Sequence, residues 1–322
     1  MLKDRAYVGF GLISIGLVVL SIPMLVAIYY VSYSRHLPYQ LTPSELGFKY
    51  TEHRIINKFG TYLNAWFVPR SQPESSILKP GPAIIITHGH HSNMGTIDHP
   101  SYLRDVCLAF HKKGYSCLLY DLSNHGSSED RYPVSLGYYE KFDFVAVLEW
   151  LRSNSQDLSI HPDQITAFGA SMGGAITLLG AEFWAKEFGS QGINSLVIDS
   201  SYNDFFEPVI LRLQKSWLPS IVHPFIIESF PFLLGVSAKS LGVLNNLEHL
   251  KAPILFIHSK YDETTPYTAS VEIYEGMKKR APQFEHQLWL TEAEGHLLSV
   301  AKDYNLYEKT ITDFVIKHSK KI

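Results

Sequence analysis

Residues 169–174 read Gly169-Ala170-Ser171-Met172-Gly173-Gly174, and the fold assignment starts from this stretch. The apolar run Ile165–Phe168 before it is short enough for a buried strand, and Ala175–Trp184 after it has a helical pattern. A serine on such a turn lies in strained backbone that exposes its hydroxyl at the carboxyl end of the strand. The two glycines that flank the serine are needed because a side chain there would collide with the returning helix. The stretch therefore predicts a nucleophile, Ser171, between a strand and a helix.

The same turn predicts hydrogen-bond donors for a developing negative charge. The backbone N–H of Met172 lies at a helix N-terminus, where unpaired amides and the helix dipole favour an anion. In an acyl-transfer site, a second donor comes from the loop after a neighbouring strand. The β-branched run Ala83–Thr87 predicts such a strand, and it ends in His88-Gly89-His90-His91. Gly89 lets this loop bend towards the nucleophile. We assign the second oxyanion donor to the backbone amide of His90.

Two later strand ends provide the partners that a serine nucleophile needs. The apolar run Ile254–His258 is followed by a loop with Asp262, and the predicted strand Phe284–Leu290 is followed by His296. A serine hydroxyl is a poor nucleophile until an imidazole accepts its proton, and a carboxylate fixes the tautomer of that imidazole. The carboxyl ends of parallel strands meet at one edge of a sheet. We therefore predict Ser171, Asp262 and His296 as the catalytic residues.

Other residues compete for these roles. Asp199, after the strand that follows the nucleophile helix, is a second candidate acid, but the loop position of Asp262 favours Asp262. His258 and His286 lie at or inside predicted strands, which indicates packing or hydrogen bonding. The histidine-rich loop permits a metal site as an alternative, with His88, His90, His91, His99 and Asp98 as its members. We predict no metal, because no helical His-x-x-x-His pair and no cysteine complete a ligand set.

The chain from residue 48 alternates between strand and helix patterns. Phe48–Asn57 and Thr61–Val68 predict a β-hairpin. The further predicted helices are Tyr102–Lys113, Tyr138–Ser153, Ala269–Lys279 and Lys302–Lys317, and the further predicted strands are Tyr115–Tyr120 and Asn194–Ile198. The fold class is therefore α/β, with a mostly parallel central sheet that has helices on both faces.

Residues 1–36 predict an N-terminal membrane anchor. No Asp, Glu, Lys or Arg occurs between Ala6 and Ser34, and this run exceeds the roughly 20 residues that cross a bilayer as a helix. A cleaved signal peptide fits less well, because its apolar region is shorter and ends in small residues. Lys3 and Arg5 slightly favour a cytoplasmic N-terminus. We expect a single-pass membrane protein with an extracytoplasmic catalytic domain, and residues 37–47 as a linker.

Residues 203–247 separate two predicted strands by far more than an ordinary connection, and they are rich in Phe, Leu, Ile and Pro. One interpretation is a helical lid that shapes an apolar acyl pocket; the other is a set of helices that only pack on the sheet. Long insertions in compact domains are usually functional, which favours the lid. The catalytic domain is predicted at residues 48–322, with this lid-like insertion inside it.

Composition excludes other classes of function. The 322 residues are 46% hydrophobic and 18% charged, with a formal net charge of −3, so a large core is possible. No basic stripe indicates a nucleic-acid partner. Cys107 and Cys117 lack metal-ligand spacing and are interpreted as buried thiols. The sequence gives no reason to expect a cofactor.

Several stretches resemble the serine hydrolases of the α/β-hydrolase fold, over about Phe48 to the C-terminus. Asp121–Ser128 reads Asp-Leu-Ser-Asn-His-Gly-Ser-Ser and resembles the family's D-x-x-G/N-H-G-x-S loop, although Asn124 stands where Gly or Arg is usual. Ser135–Asp143, followed by Leu148–Leu151, is similar to membrane-anchored bacterial hydrolases of the Bem46-like and prolyl-oligopeptidase-like branch. The resemblance implies a Ser–His–Asp enzyme that cleaves esters, thioesters or amides without a cofactor.

We therefore expect an esterase or lipase-like enzyme that acts on a small-molecule or lipid-like apolar acyl substrate. A serine peptidase or amidase is the alternative, because ester and amide hydrolysis use the same constellation of side chains. An inactive protein that binds a ligand or partner is the alternative from another class, since a fold does not determine its function.

Overall fold

The computed structural model describes residues 23–29, 35–71, 79–130, 133–189 and 192–319. Within them, one central sheet contains the strands β1 Thr51–Ile56, β2 Tyr62–Val68, β3 Gly81–Thr87, β4 Ser116–Tyr120, β5 Ile160–Ala170, β6 Ile193–Asp199, β7 Ile254–Ser259 and β8 Gln287–Thr291. Their order in space is β1-β2-β4-β3-β5-β6-β7-β8. The pairs β1–β2 and β2–β4 are antiparallel, and all later neighbours are parallel. The predicted hairpin and the mostly parallel sheet are both present.

Helices cover both faces of this sheet. The helices are α1 (residues 23–29), α2 Leu108–Lys112, α3 Lys141–Ser153, α4 Met172–Phe188, α5 Phe206–Gln214, α6 His223–Leu234, α7 Tyr267–Arg280, α8 Ser299–Lys302 and α9 Tyr304–His318. A π-helical segment, Tyr102–Cys107, continues directly into α2. Helices α3, α4 and α7 pack on one face, and α2 and α9 pack on the other.

Alternation along the central strands explains why there are two cores. In β3, Ala83 and Ile85 belong to the core under α3 and α4, whereas Ile84 and Ile86 belong to the core under α9. Successive side chains of a strand point to opposite faces, so a strand that is apolar throughout must be covered on both sides. The apolar runs that predicted these strands are therefore the direct cause of the layered α/β architecture.

Two of the helix boundaries that differ from the sequence prediction have a local cause. Helix α3 begins at Lys141 rather than Tyr138, because the buried carboxylate of Glu140 accepts hydrogen bonds from the N–H groups of Ser135 and Gly137 and holds turns there. The predicted C-terminal helix, Lys302–Lys317, begins at Tyr304 as α9, and the separate short helix α8 precedes it. The side chain of Asp303 caps α9 by accepting a hydrogen bond from the N–H of Leu306 at 3.0 Å.

The segment predicted as a linker, residues 37–47, packs against the domain. The N–H groups of Gln40 and Leu41 donate to the carbonyl of Gly95 at 3.0 and 2.9 Å. The hydroxyl of Tyr39 donates to Asp121, and its ring lies against Trp66. These contacts attach the segment to the antiparallel end of the sheet.

The predicted membrane anchor lies mainly outside the described residues, of which only 23–29, 35 and 36 fall within it. Residues 23–29 are helical, and Ala27 is buried against α5 and α6. In the part of the chain that the structure describes, no helix is long and apolar enough to cross a bilayer.

The insertion, residues 203–247, forms a small helical layer of its own. It contains α5, α6 and three short 3-10 helices. Its apolar side chains make a third core, which includes Phe205, Val209, Leu213, Ile226, Phe230 and Leu234. The insertion follows β6 and precedes β7, so it begins at the carboxyl edge of the sheet.

Candidate active site

Ser171 occupies the turn between β5 and α4 with φ 54° and ψ −121°. A positive φ is uncommon for a residue with a side chain, and such strain persists only where the surroundings hold it. The N–H of Ser171 donates to the carbonyl of Asp199 at 2.8 Å, and the N–H of Gly174 donates back to the carbonyl of Ser171 at 2.9 Å. The turn is therefore fixed from both sides, in the geometry that the sequence predicts.

The two flanking glycines allow three backbone segments to meet at this turn. A Cβ atom at Gly169 would lie 2.4 Å from the carbonyl oxygen of Gly173. A Cβ atom at Gly173 would lie 2.4 Å from the carbonyl oxygens of Thr87 and His88. Real Cβ atoms do not approach oxygen so closely, so neither position can carry a side chain without a backbone shift. The close approach brings the loop after β3 next to Ser171.

The structure brings the three predicted side chains into one hydrogen-bonded chain. Ser171 Oγ lies 2.9 Å from His296 Nε2, and His296 Nδ1 lies 2.6 Å from Asp262 Oδ2. The hydroxyl comes from the turn after β5, the carboxylate from the loop after β7 and the imidazole from the loop after β8. With Nδ1–H donated to the carboxylate, Nε2 of a neutral imidazole is free to accept the serine proton.

The loop after β7 holds the carboxylate of Asp262 as an anion. The N–H groups of Thr264 and Thr265 donate to Oδ1 at 2.8 and 3.0 Å. Burial alone would raise the pKa of Asp262, but hydrogen bonds from His258 and His296 outweigh it and hold the pKa well below its usual range. The carboxylate is therefore charged wherever His296 can act as a base.

Asp199, the competing acid, faces a different set of partners. Its carboxylate accepts hydrogen bonds from the hydroxyl of Tyr307 at 2.7 Å and from that of Ser200 at 2.9 Å. The side chain is fully buried, and burial raises its pKa. The hydrogen bond to His296 comes from Asp262, as the sequence position predicts.

Two further residues contact the carboxylate of Asp262. Sequence reasoning assigned neither of them to the site. Thr265 Oγ1 lies 3.1 Å from both Asp262 Oδ2 and His296 Nδ1. His258 is fully buried, with Nε2 3.3 Å from Asp262 Oδ2 and Nδ1 2.7 Å from Ser270 Oγ. The hydrogen-bonding role expected for His258 is present, and its spacing of four residues from Asp262 is the signal that could have connected it to the site.

The two assigned oxyanion donors lie beside Ser171. Met172 is the first residue of α4, so its N–H has no partner within the helix. The N–H of Gly89 donates to the hydroxyl of Tyr102 at 2.9 Å, which leaves the amide of His90 as the next donor in this loop. Neither the Met172 nor the His90 amide has an acceptor among the residues that the structure describes. Both amides are thus available to an oxygen atom in the cleft.

The histidines of this region are neutral. Burial lowers the pKa of His88 to about 4, and burial together with the nearby charges of Arg35 and Arg212 lowers that of His91 to about 4. His88 donates from Nδ1 to the carbonyl of Gly89 and accepts at Nε2 from an N–H of the loop after β4. No group of three or more His, Cys, Asp or Glu side chains within the described ranges could hold a metal ion.

A narrow cleft opens above Ser171, with an accessible volume of about 30 Å³. Its walls are formed by His90, Leu136, Met172, Tyr202, Pro208, Val209, Arg212, Thr264 and Thr265. Three of these residues belong to α5, so the insertion contributes one wall of the cleft. Most of the wall is apolar, with the polar groups of the hydrogen-bonded chain at the base.

A family model described as "Alpha/beta hydrolase family" matches residues 84–299. The chain belongs to this family. It is 31% identical over 234 residues to protein YqkD of Bacillus subtilis, which covers 72% of this chain and 70% of that protein.

Solved structures share the fold of this alpha/beta hydrolase. The esterase Pf2001 of Pyrococcus furiosus superposes with a TM-score of 0.69 at 22% identity, covering 88% of this chain and 97% of that one. An acylaminoacyl peptidase of Pyrococcus horikoshii superposes with a TM-score of 0.63 at 16% identity, covering 85% of this chain and 42% of that one. The family and these neighbours support a hydrolase.

Proposed function

We propose that this alpha/beta hydrolase is a serine esterase that acts through an acyl-enzyme. The observation that carries the proposal is the hydrogen-bonded chain Ser171–His296–Asp262 beside two free amides. In this reaction Ser171 Oγ attacks the acyl carbonyl while His296 accepts its proton. The amides of His90 and Met172 stabilise the oxyanion, and His296 then protonates the leaving alcohol. Water, activated by His296, attacks the acyl-enzyme and releases the acid.

An ester with an apolar acyl group fits this cleft best. Leu136, Val209 and Pro208 offer an apolar wall next to Ser171, which suits an acyl chain. The neighbour Pf2001 is itself named an esterase. The second candidate is peptidase or amidase activity, which the acylaminoacyl peptidase neighbour favours. The complete chain of Ser171, His296 and Asp262 argues against an inactive binding protein.

We also propose that the enzyme is attached to a membrane, as in the Bem46-like branch, with its catalytic domain on the extracytoplasmic side. The uncharged run from Ala6 to Ser34 supports attachment. A second support is the exposed apolar face of the insertion. We define it by Trp217, Ile221, Phe225 and Phe232, which are 89%, 76%, 59% and 77% exposed. The end of the uncharged run, α1, lies beside this face and shares a groove with it.

The first test is hydrolysis of 4-nitrophenyl esters, from acetate to palmitate, by the full-length enzyme in detergent. Ser171→Ala should lower kcat by about 10⁴- to 10⁶-fold, as for other serine nucleophiles. Ser195→Ala, which removes a buried hydroxyl of β6, is the matched control and should keep most of the activity. Turnover that survives Ser171→Ala would refute the mechanism. Labelling of Ser171 by a fluorophosphonate without ester hydrolysis would favour the peptidase instead.

A further inference from the structure

Arg212 is the one charged side chain among the described residues that line the catalytic cleft. It lies on α5, four residues after Pro208 and three after Val209, so the three side chains share one helical face. That face forms a wall of the same cleft that contains Ser171 and Met172. The guanidinium therefore faces the space that a bound substrate would occupy.

The guanidinium of Arg212 has no partner among the residues that the structure describes. Within the described ranges it makes no hydrogen bond or ion pair, although the side chain is partly buried. Lys215, at the end of the same helix, pairs instead with Glu263 at 2.9 Å outside the cleft. A cation that is partly removed from water without a protein partner is stabilised by an anion that binds beside it.

The surroundings of Arg212 do not supply that anion. No Asp or Glu from the described part of the chain lines the cleft, and the carboxylate of Asp262 is fully buried behind His296. The neighbouring imidazole of His90 is uncharged, because burial and then the nearby His91, His125, Arg35 and Arg212 hold its pKa well below the usual range. Arg212 is thus the cation that lines the cleft beside the oxyanion donors, whereas the buried Arg35 lies near His90 outside the lining.

We propose that Arg212 binds a carboxylate of the substrate, so that the enzyme prefers esters that carry one negative charge near the scissile bond. A guanidinium matches a carboxylate with two parallel hydrogen bonds. One cation balances a monoanionic carboxylate, whereas a dianionic phosphate would leave a charge uncompensated in a cleft with apolar walls. The inference rests on the proposed esterase function and adds the class of substrate.

The test compares matched charged and neutral esters. Mono-4-nitrophenyl adipate with 4-nitrophenyl hexanoate places the charge on the acyl side. The pair 4-acetoxybenzoate and its methyl ester places it on the alcohol side. For each pair, kcat/KM is measured for the full-length wild type, for Arg212→Gln and for the control Lys215→Gln. The charged-to-neutral ratio of kcat/KM for each variant is divided by the same ratio for the wild type, so that the intrinsic reactivity of each ester cancels.

We expect Arg212→Gln to lower kcat/KM at least tenfold more for the charged member of one pair than for its neutral partner. Lys215→Gln should change both members by less than about twofold, since exposed pairs contribute little. The preference of the wild type for the charged ester over its neutral partner should also decline at about 1 M salt, where charges are screened over a few ångströms. Equal effects of Arg212→Gln on charged and neutral esters in both pairs would overturn the proposal.

A binding measurement separates this inference from the proposed esterase function. Ser171→Ala cannot turn over substrate, so calorimetry can follow how the monoanionic esters monomethyl adipate and 4-acetoxybenzoate bind to it. Adding Arg212→Gln should weaken the binding of at least one of these two esters at least tenfold, and their neutral counterparts, dimethyl adipate and methyl 4-acetoxybenzoate, should bind equally weakly to both variants. Binding of both charged esters that does not depend on Arg212 would reject the carboxylate site. Arg212-dependent binding without any ester hydrolysis would keep the site and reject the esterase.

Discussion

Ser171 has a backbone conformation that costs about 1–3 kcal/mol for a residue with a side chain, and its neighbours hold it there. The hydrogen bond from its N–H to Asp199 and the close backbone approach at Gly173 both oppose relaxation. At the residue scale, the site therefore combines strain at the nucleophile with unpaired amides next to it. Both features follow from a helix that starts directly after a strand.

His88 makes a testable contribution to the pH dependence of stability. Its pKa is about 4 in the folded protein because it is buried, and about 6.5 in the unfolded chain. Between these values the unfolded state binds more protons, so the free energy of unfolding falls as the pH is lowered from 6.5 towards 4. From pH 7 to pH 5, this group alone should remove about 2 kcal/mol of stability.

The measurement is urea unfolding of the wild type and His88→Asn at several pH values between 7 and 5. The variant has a lower stability at pH 7, because it loses buried hydrogen bonds, but its stability should depend less steeply on pH. The half-buried His53, whose ring contacts Trp150 and whose pKa is also lowered by burial, provides the comparison variant His53→Asn, which should reduce the slope less than His88→Asn does because His53 is less buried. A slope for His88→Asn as steep as that of the wild type would show that His88 is not the group responsible.

The hydrogen-bonded residues could be predicted from the sequence because each follows a strand of a parallel sheet. Such positions share one edge whatever the lengths of the connections between them, and this is why Ser171, Asp262 and His296 were found. Thr265 and Arg212 could not be found in this way. Thr265 reaches the site through a local turn of the Asp262 loop, and Arg212 depends on how α5 packs, which no periodicity specifies.

At the scale of elements, α5 combines two roles. One face contributes Val209 and Leu213 to the core of the insertion, and the adjoining positions line the cleft. The length and composition of the insertion predicted extra helices, and the structure has them. Which helix would border the cleft could not be predicted, because the direction in which a helix leaves the sheet depends on packing against the rest of the insertion. That the insertion moves as a lid over the cleft remains a prediction.

The wall formed by α5 should set the length of the acyl group. Val209→Ala removes two carbon atoms from a buried side chain that lines the cleft, so the cleft becomes longer. We expect the preferred 4-nitrophenyl ester to shift by about two carbons towards longer chains, with a loss of about 1–2 kcal/mol in stability. Val315→Ala removes the same volume from α9, in the core on the other side of the sheet. It should leave the preference for acyl chain length unchanged. Identical profiles for the two variants would mean that α5 does not bound the acyl site.

At the scale of the whole molecule, three features border the side that carries the insertion. The cleft is lined by α5, the exposed apolar face and the end of the uncharged N-terminal run meet at α6, and α5 and α6 share one core. Exposed apolar patches rimmed by polar residues commonly mark sites of membrane or protein interaction. The proposed anchor would bring a bilayer to this side, so we expect a lipid surface to cover the face and the cleft to open close to it.

Trp217 allows this orientation to be measured. It is 89% exposed, whereas the other four tryptophans are buried or half-buried in the domain. In vesicles that contain the full-length enzyme and brominated phosphatidylcholine, bromine at the level of the interface should quench the fluorescence of Trp217, because indole rings favour this region. Trp217→Phe should remove most of the quenching.

Quenching alone does not connect the face to catalysis, so the same vesicles should carry a membrane-embedded acyl ester as substrate. The double variant Phe225→Ser and Phe232→Ser exposes less apolar surface and should hydrolyse that ester at least several-fold more slowly, while turnover of a soluble ester stays unchanged. Phe188→Ser alters an equally exposed phenylalanine at the end of α4 and should affect neither rate. If the fluorescence of Trp217 is not quenched and the double variant matches Phe188→Ser on both substrates, the face points away from the bilayer. The N-terminal run would then act as a tether without orienting the cleft.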